Sequence, residues 1–553
     1  MKAISRPHPA VLSLMASTFI VIAYNFSFWR GLINATGGVQ LGNIPLYMAV
    51  FLILVLFFNA IITLVTFRPV IKPLLTVLFC VTSVVAYFMD QYGTAIDAAM
   101  IQNVFETNTL EAIELISWRM VLFFLLLGVL PSLLLWRAEL NFPPIRRDLS
   151  GKLVIVAASL VVAVGLLLAF YKSFAPTFRE HRELRFFLAP LNYIQATNSY
   201  VKRKFSRPLV VAPLGTDASK GILWKGHERK TVTVIVLGET ARAMNFSLNG
   251  YQRNTNPELS QQNGLINFTN VQSCGTATAV SVPCLFSNLG RADYSETQAK
   301  SQEGMLDVLS HAGFGVLWRN NNSGCKGTCD RVEYEDFSKP VAGDPLCTTE
   351  ECYDEYMLKG LPERIRSSQK DMVIVLHQKG SHGPAYWKRY PEAFKRFGPV
   401  CETNELQKCS SESIVAAYDN SILYTDHFIS KVIDMLRKIG NEDKFDTSLV
   451  YFSDHGESLG ESGMYLHGAP YMISPVEQRH VPFMVWLSDG FRSRFRIDTT
   501  CLAARSNQSF SHDNVFHSTL GMLNVNTAVY NPKLDIFQAC SRASMESTRG
   551  AGV

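Results

Sequence analysis

Three scarcities bound what this 553-residue chain can be. Charge is missing from five stretches of the first 170 residues: Ala10–Trp29, Ile44–Phe67, Pro73–Met89, Met120–Trp136 and Leu153–Phe170. Each is long enough to cross about 30 Å of hydrocarbon as a helix, which excludes a wholly water-soluble N-terminal region and predicts five transmembrane helices. Cysteine is nearly absent there too: of eleven, only Cys80 precedes residue 274, and a buried structural thiol is its default reading. CxxC spacing is absent altogether, which argues against a structural zinc site made of thiolates. Net charge is a modest +5 and spread along the chain, and nucleic acid is no expected partner for a domain that lies outside the cytoplasm.

The first apolar run is too long for the core of a cleaved signal peptide. In place of a small-residue cleavage site it ends in Tyr24-Asn25-Phe26-Ser27-Phe28-Trp29, which reads as an aromatic interfacial anchor. Lys2 and Arg6 precede it, Arg68 and Lys72 join runs two and three, and Arg137, Arg146, Arg147 and Lys152 join runs four and five. The opposite loops carry only Arg30 and Arg119, beside Asp90, Asp97, Glu106, Glu111 and Glu114. Basic loops stay in the cytoplasm, so the N-terminus is expected inside and everything after Phe170 outside. The ten remaining cysteines all fall in that exported part, an even number in an oxidising compartment. Neighbour pairing, the simplest choice, gives Cys274–Cys284, Cys325–Cys329, Cys347–Cys352, Cys401–Cys409 and Cys501–Cys540. The basic residues between 172 and 230, such as Lys202, Arg203, Lys204 and Arg207, fit either a linker resting on anionic lipid or a solvated helix face.

From about Thr231 the pattern changes. Thr231–Leu237, Asp371–His377 and Ser448–Phe452 read as buried strands, Gly315–Trp318 as another, with helical stretches such as Ser411–Ile439 between them. Alternating strands and helices predict a largely parallel sheet covered on both faces, with its site beyond the carboxyl ends of the strands. Those ends deliver Glu239, His382, Asp454 and His455, and His467 follows twelve residues after His455. Singly, such residues are commonly helix caps or solvated imidazoles. Together they form a nitrogen and carboxylate donor set suited to zinc. The segment NVQSCGTATAVSVPC, residues 270–284, adds four hydroxyls, Ser273, Thr276, Thr278 and Ser281, between two cysteines. A hydroxyl becomes a competent nucleophile when zinc lowers its pKa, and a helix starting near Thr278 would favour an arriving phosphate. Spacing alone does not choose between Thr276 and Thr278.

The motifs VLGETAR, SCGTATAVSVPCLFS, KGSHGPAY, FSDHGESLGE and MYLHGAPY, in this order, resemble the phosphoethanolamine transferases that modify lipid A, a family that includes the mobile colistin-resistance enzymes. The resemblance covers essentially the whole chain. It implies a five-helix transmembrane domain over 1–171, a linker with an interfacial helix over 172–230 and a periplasmic catalytic domain over 231–553. The fold implied for the last is the mostly parallel α/β fold of alkaline phosphatases and sulfatases. It makes Thr278 the nucleophile and places Glu239, Thr278, Asp454 and His455 on a catalytic zinc. His382 and His467 would bind a second zinc or the substrate phosphate. Asn103, Thr107 and Glu111, spaced to share a helix face, would hold the phosphoethanolamine head group, with Ser323 and Lys326 as further substrate contacts; Arg242 has no assigned role. The implied enzyme sits in the bacterial inner membrane as a monomer. It takes phosphoethanolamine from phosphatidylethanolamine, forms a covalent intermediate and passes the group to lipid A, lowering surface charge and polymyxin or colistin susceptibility. Transfer to a core sugar or another envelope acceptor, or hydrolysis by a membrane-anchored sulfatase-like enzyme, are the alternatives.

Overall fold

The computed structural model describes residues 8–106, 109–204 and 210–541. Lys2, Arg6, Thr107 and Arg207 lie outside the described residues, as do the side chains of Glu111, Arg203 and Lys204. The described chain divides into two compact units, one from Met1–Ile101 and Ile116–Ser199, the other from Gln102–Leu115 and Tyr200–Val553.

In the first unit, Leu41–Val65, Ile71–Tyr92, Trp118–Arg137 and Ile145–Ala169 are long and apolar enough to cross a membrane as continuous helices. The first apolar run is instead a bent pair, Pro9–Ala23 and Phe26–Ala35, turned by 61°. Asn25 supplies the reason. Its fully buried amide donates to Ile20 O at 2.9 Å and Ala189 O at 3.0 Å, while its oxygen accepts the Ala189 N–H at 2.8 Å. An amide engaged in three backbone bonds replaces the helix's own ladder at that turn. Inside the unit, Ser13 Oγ meets Asn59 Oδ1 and Thr63 Oγ1 at 2.9 Å, and Asn59 reaches Ser159 at 3.3 Å. Polar side chains thus bond between helices, and apolar ones such as Val161 and Leu133 face outward. Cys80 is a free, half-buried thiol in Ile71–Tyr92.

The second unit contains one eight-stranded sheet. In chain order its strands are β1 (Thr231–Gly238), β2 (Leu265–Gln272), β3 (Gly315–Asn320), β4 (Glu333–Asp336), β5 (Met372–His377), β6 (Asp446–Ser453), β7 (His480–Leu487) and β8 (Phe510–Ser511). Their spatial order is β8-β2-β7-β6-β1-β5-β3-β4. All pairings are parallel except those of β7, which runs antiparallel to both β2 and β6. Central β1 is buried on both faces: Ile235 and Leu237 join one hydrophobic core, Val232, Val234 and Val236 the other. Ser411–Glu442, capped by the Ser410 hydroxyl on Ser413 N, covers the second face with Ile422, Phe428, Ile429 and Leu436. Because β7 opposes its neighbours, the start of β7 and the carboxyl ends of β1, β2, β5 and β6 all open on one rim.

Candidate active site

The rim is built from chain reversals held by backbone bonds. Gln378 N donates to Leu237 O, Ser381 N to Glu239 O and Asp454 N to Gly238 O, each at 3.0 Å, so three loops leave the sheet in fixed register. Gly380 makes the crossing possible: its φ is +55°, and a Cβ there would lie 2.5 Å from Glu239 O.

Glu239, Asp454 and His455 are completely buried and offer ligand atoms within 4.8 Å of one another. His455 Nε2 lies 3.4 Å from Glu239 Oε1 and 3.3 Å from Asp454 Oδ2. Its Nδ1–H donates to Gly456 O at 2.9 Å, which leaves the Nε2 lone pair facing the carboxylates. Asp454 Oδ1 accepts the N–H groups of Thr240 at 3.2 Å and His455 at 2.7 Å. Its Oδ2 has no hydrogen-bond partner among the described residues. Burial, aided by Glu239, pushes the Asp454 carboxyl well up from its usual range. Burial also opposes ionisation of Glu239, but the imidazoles of His455, His382 and His467 hold that carboxyl below its usual value. Burial, with the charge of His467, brings His455 down to about 3, so its imidazole is neutral. Two crowded buried carboxyls, one orphaned oxygen and a neutral imidazole lone pair aimed between them fit a divalent cation of zinc's donor preference. Cys325, Cys329 and Asp330 also lie close together, but their sulfurs are bonded to each other.

All five disulfides pair the cysteines as neighbours. Within the Cys274–Cys284 loop the four hydroxyls have separate fates. Ser273 donates to Gly275 O at 2.6 Å, Thr276 to Ala469 O at 2.6 Å and Ser281 to Asp454 O at 2.5 Å. Thr278 alone turns to the acid cluster, its Oγ1 lying 3.3 and 3.2 Å from the Glu239 oxygens and 3.3 Å from His455 Nε2. It is also the first residue of the helix Thr278–Leu285, which accommodates Pro283. Thr278 therefore stands where unpaired N–H groups and the helix dipole meet an anion.

His467 stacks near His455, ring centroids 4.4 Å apart, and His382 lies 5.3 Å from His467. Ser323 and Lys326 meet beside Cys325, with Lys326 Nζ 3.2 Å from the Ser323 hydroxyl. Asn103 lies in Ala98–Glu106 and Glu111 in Thr109–Glu114; with Thr107 and the Glu111 side chain undescribed, no shared face is drawn from them. Arg242 is a buried strut, donating to Glu461 at 2.6 Å and Asn245 at 2.5 Å.

Several residues of the site went unread in the sequence. Asn322 donates to Glu239 Oε2 at 2.7 Å and to Gln378 O at 2.8 Å, fixing the carboxylate's rotamer. Glu457 lies 2.9 Å from His467 Nδ1 and accepts the Tyr386 hydroxyl at 2.6 Å. Arg389, its side chain 1% exposed, donates to His382 O at 2.7 Å, pairs with Glu351 and reaches Glu114 at 2.7 Å. Glu457 is visible in the quoted FSDHGESLGE but has no spacing that marks it, and Asn322 and Arg389 gave no signal at all.

Residues 231–525 match the family described as Sulfatase, and residues 54–205 match Phosphoethanolamine transferase EptA/EptB. The phosphoethanolamine transferase EptA of Escherichia coli K12 is 41% identical over 536 residues, spanning 96% of this chain and 97% of that protein. The phosphatidylethanolamine transferase Mcr-1 of Escherichia coli is 42% identical over 492 residues, 86% of this chain and 89% of its own. The solved integral membrane lipooligosaccharide phosphoethanolamine transferase A of Neisseria meningitidis superposes with a TM-score of 0.91 at 35% identity, covering 96% of this chain and 98% of that one.

Proposed function

The chain belongs to the phosphoethanolamine transferase family, and on that premise we propose that it moves phosphoethanolamine from phosphatidylethanolamine to lipid A through Thr278. The observation that carries the reading is the isolation of the Thr278 hydroxyl: alone among four, it faces Glu239 and His455 at a helix N-terminus. Glu239, Asp454, His455 and Thr278 would hold a zinc ion. When bound, zinc supplies Lewis acidity that favours the threonine alkoxide and offsets phosphate charge.

The chain's own groups account for the remaining steps. Thr278 Oγ1 attacks the donor phosphorus, forming an O–P bond as the bond to diacylglycerol breaks. The threonine proton passes to His467, whose Nδ1 pairs with Glu457, and from there to the departing diacylglycerol oxygen. His382 and the N–H groups opening Thr278–Leu285 stabilise charge on the phosphoryl oxygens. An acceptor phosphate hydroxyl oxygen then attacks the phosphorus of the phosphoethanolamine-threonine; the Thr278 O–P bond breaks, and the proton released by the acceptor hydroxyl passes through His467 to Thr278, restoring its hydroxyl. Asn103, Thr107 and Glu111 receive the donor head group, with Glu111 on its ammonium, and Ser323 and Lys326 contact phosphate. A second metal at His382 and His467 is the finer form of the same reading.

A lipid donor explains the membrane helices, because a soluble enzyme would have to extract phosphatidylethanolamine from its bilayer. The functional division follows: residues 1–171 anchor the protein, 172–230 link, and 231–553 catalyse in the periplasm, with the N-terminus cytoplasmic. The protein is proposed to work as a monomer. Adding an ammonium to lipid A lowers negative surface charge and weakens the binding of cationic polymyxins. Mass spectrometry of lipid A from a Gram-negative host tests the reading. A phosphoethanolamine mass increase is expected with the wild-type chain and not with Thr278→Ala at equal membrane abundance. Its absence from both, with folded protein, would refute lipid A as the acceptor.

A further inference from the structure

Two arginines near the nucleophile loop have no place in this chemistry. The Arg291 guanidinium stacks 3.6 Å from the centroid of the Tyr471 ring, and the Arg479 guanidinium lies 5.3 Å from the same centroid. Neither makes an ion pair among the described residues. Arg291 Nη1 donates to Cys274 O, and the nearby Asp513 carboxylate accepts the backbone N–H of Arg291 at 2.8 Å. Arg479 Nε is buried with no hydrogen-bond partner among the described residues. Burial pushes the Arg291 guanidinium down; Tyr471 and Asp513 oppose that shift, and the charge of Arg479 adds to it. Two guanidiniums held on one aromatic ring, neither in an ion pair among the described residues and only Arg291 near a carboxylate, present spare donors to a phosphate.

The pair is tied to the reacting centre. Tyr471 OH donates to Ser273 O at 3.0 Å, Thr276 Oγ1 to Ala469 O at 2.6 Å and Gly468 N to Thr276 O at 2.7 Å. Residues 467–471 therefore run along residues 273–276 as a seam with His467 and Thr278 at one end and the arginines at the other. Four Cα–Cα steps separate Cys274 from Thr278, at most about 14 Å when extended. Met472, next to Tyr471, is 79% exposed, and Val476 is exposed as well. An anion-binding site with apolar neighbours suits an amphiphile better than a free ion.

We propose that Arg291 and Arg479, on Tyr471, bind a phosphate group of the anionic glycolipid acceptor and so present another oxygen of the same head group to the phosphoethanolamine carried on Thr278. The proposal rests on the transfer reading above and names the part of the site that selects its acceptor.

Full-length protein in detergent micelles, given phosphatidylethanolamine and lipid A, tests it. The double variant Arg291→Gln, Arg479→Gln should raise the acceptor KM by at least about tenfold while the donor KM moves by less than about twofold. Arg291→Lys with Arg479→Lys keeps the charge without the fork and should recover part of that loss. Arg479→Gln alone, which removes no hydrogen bond, guards against misfolding and should still give several-fold of the effect. A second readout needs no transfer: wild type should bind bis-phosphorylated lipid A about tenfold tighter than the mono-phosphorylated form, and the double variant should lose that preference. Failure of transfer with the binding preference intact refutes the transfer reading and leaves the phosphate site standing. Equal rises in both KM values would assign the arginines to the donor phosphate. Unchanged acceptor KM and binding would make the pair a structural stack. Either overturns the proposal.

Discussion

Glu239, Asp454 and His455 are fully buried and follow directly on the carboxyl ends of β1 and β6, whereas His382, His467, Ser323 and Lys326 are part-exposed and sit on loops. The floor of the site takes its geometry from the sheet ladder, because one or two residues past a strand there is little freedom left. The rim takes its geometry from other side chains: Glu457 and Tyr386 orient His467, and Arg389 ties down the His382 loop. A floor set by backbone suits one task done on one atom, and a rim set by side chains can admit two different lipids in turn.

The comparison breaks most readily at the floor. Thr278→Ala and Asp454→Asn should each lower transfer by at least about 10³-fold in purified full-length protein, since residues that act as a unit lose nearly everything singly. The two should differ in metal content: elemental analysis should find zinc depleted in Asp454→Asn and largely kept in Thr278→Ala, where three ligands remain. Equal zinc in wild type and Asp454→Asn would remove the carboxylate from the ligand set. Chelation gives the same contrast without mutation. Because a metal that binds only the folded state stabilises it by mass action, stripping zinc should lower the melting temperature as well as activity. An unchanged melting temperature after verified zinc removal would uncouple metal from the floor.

At the rim a smaller loss is expected. Glu457→Gln leaves Tyr386 a partner but removes the carboxylate that holds His467, and should cut kcat about 10- to 100-fold with zinc retained. Loss of zinc in that variant would move Glu457 into the floor. Arg389→Lys keeps a charge but loses the fork that joins His382 O, Glu351 and Glu114, and about a tenfold fall in kcat/KM is expected. The segment Gln102–Leu115, which lies between membrane-crossing helices in sequence, belongs to the catalytic unit through such contacts, with Gln102 also meeting Glu296 at 2.8 Å. A rise in donor KM only, with kcat intact, would mean Arg389 serves that segment and not His382.

The same division decides what the sequence made legible. The floor was readable because strands announce their ends: TVTVIVL, DMVIVLH and SLVYF each stop where a polar residue begins, and the parallel topology puts those stops together. Local disulfides were readable because short spacing left little choice. Asn322 and Arg389 were hidden, since their work is defined by partners such as Glu239 and Glu114, 83 and 275 residues away. Hydropathy found the first membrane run but not its bend, because the Asn25 bonds to Ala189 span 164 residues. What sets Thr276 apart from Thr278 was equally hidden, because Thr276 gives its hydroxyl hydrogen to Ala469 O, 193 residues away.

The smallest effect expected is also the one that separates rigidity from stability. Cys325–Cys329 closes a loop of four residues beside Ser323 and Lys326, whereas Cys501–Cys540 closes 39 residues away from the rim motifs. If a disulfide acts mainly on the unfolded chain, its stabilisation grows with the logarithm of loop length, to about 2 kcal/mol for the first and about 4 kcal/mol for the second. Cys501→Ser with Cys540→Ser should therefore lower the melting temperature more, and Cys325→Ser with Cys329→Ser less. Kinetics should reverse the ranking. Lys326 holds a left-handed backbone conformation, φ +55°, within the short loop, so releasing that loop lets Lys326 and Ser323 leave the rim and should raise a substrate KM a few-fold. The long-loop variant should keep its KM at a temperature where it is folded. If both variants change KM in proportion to lost stability, the rim owes its geometry to global folding and the contrast with the floor disappears.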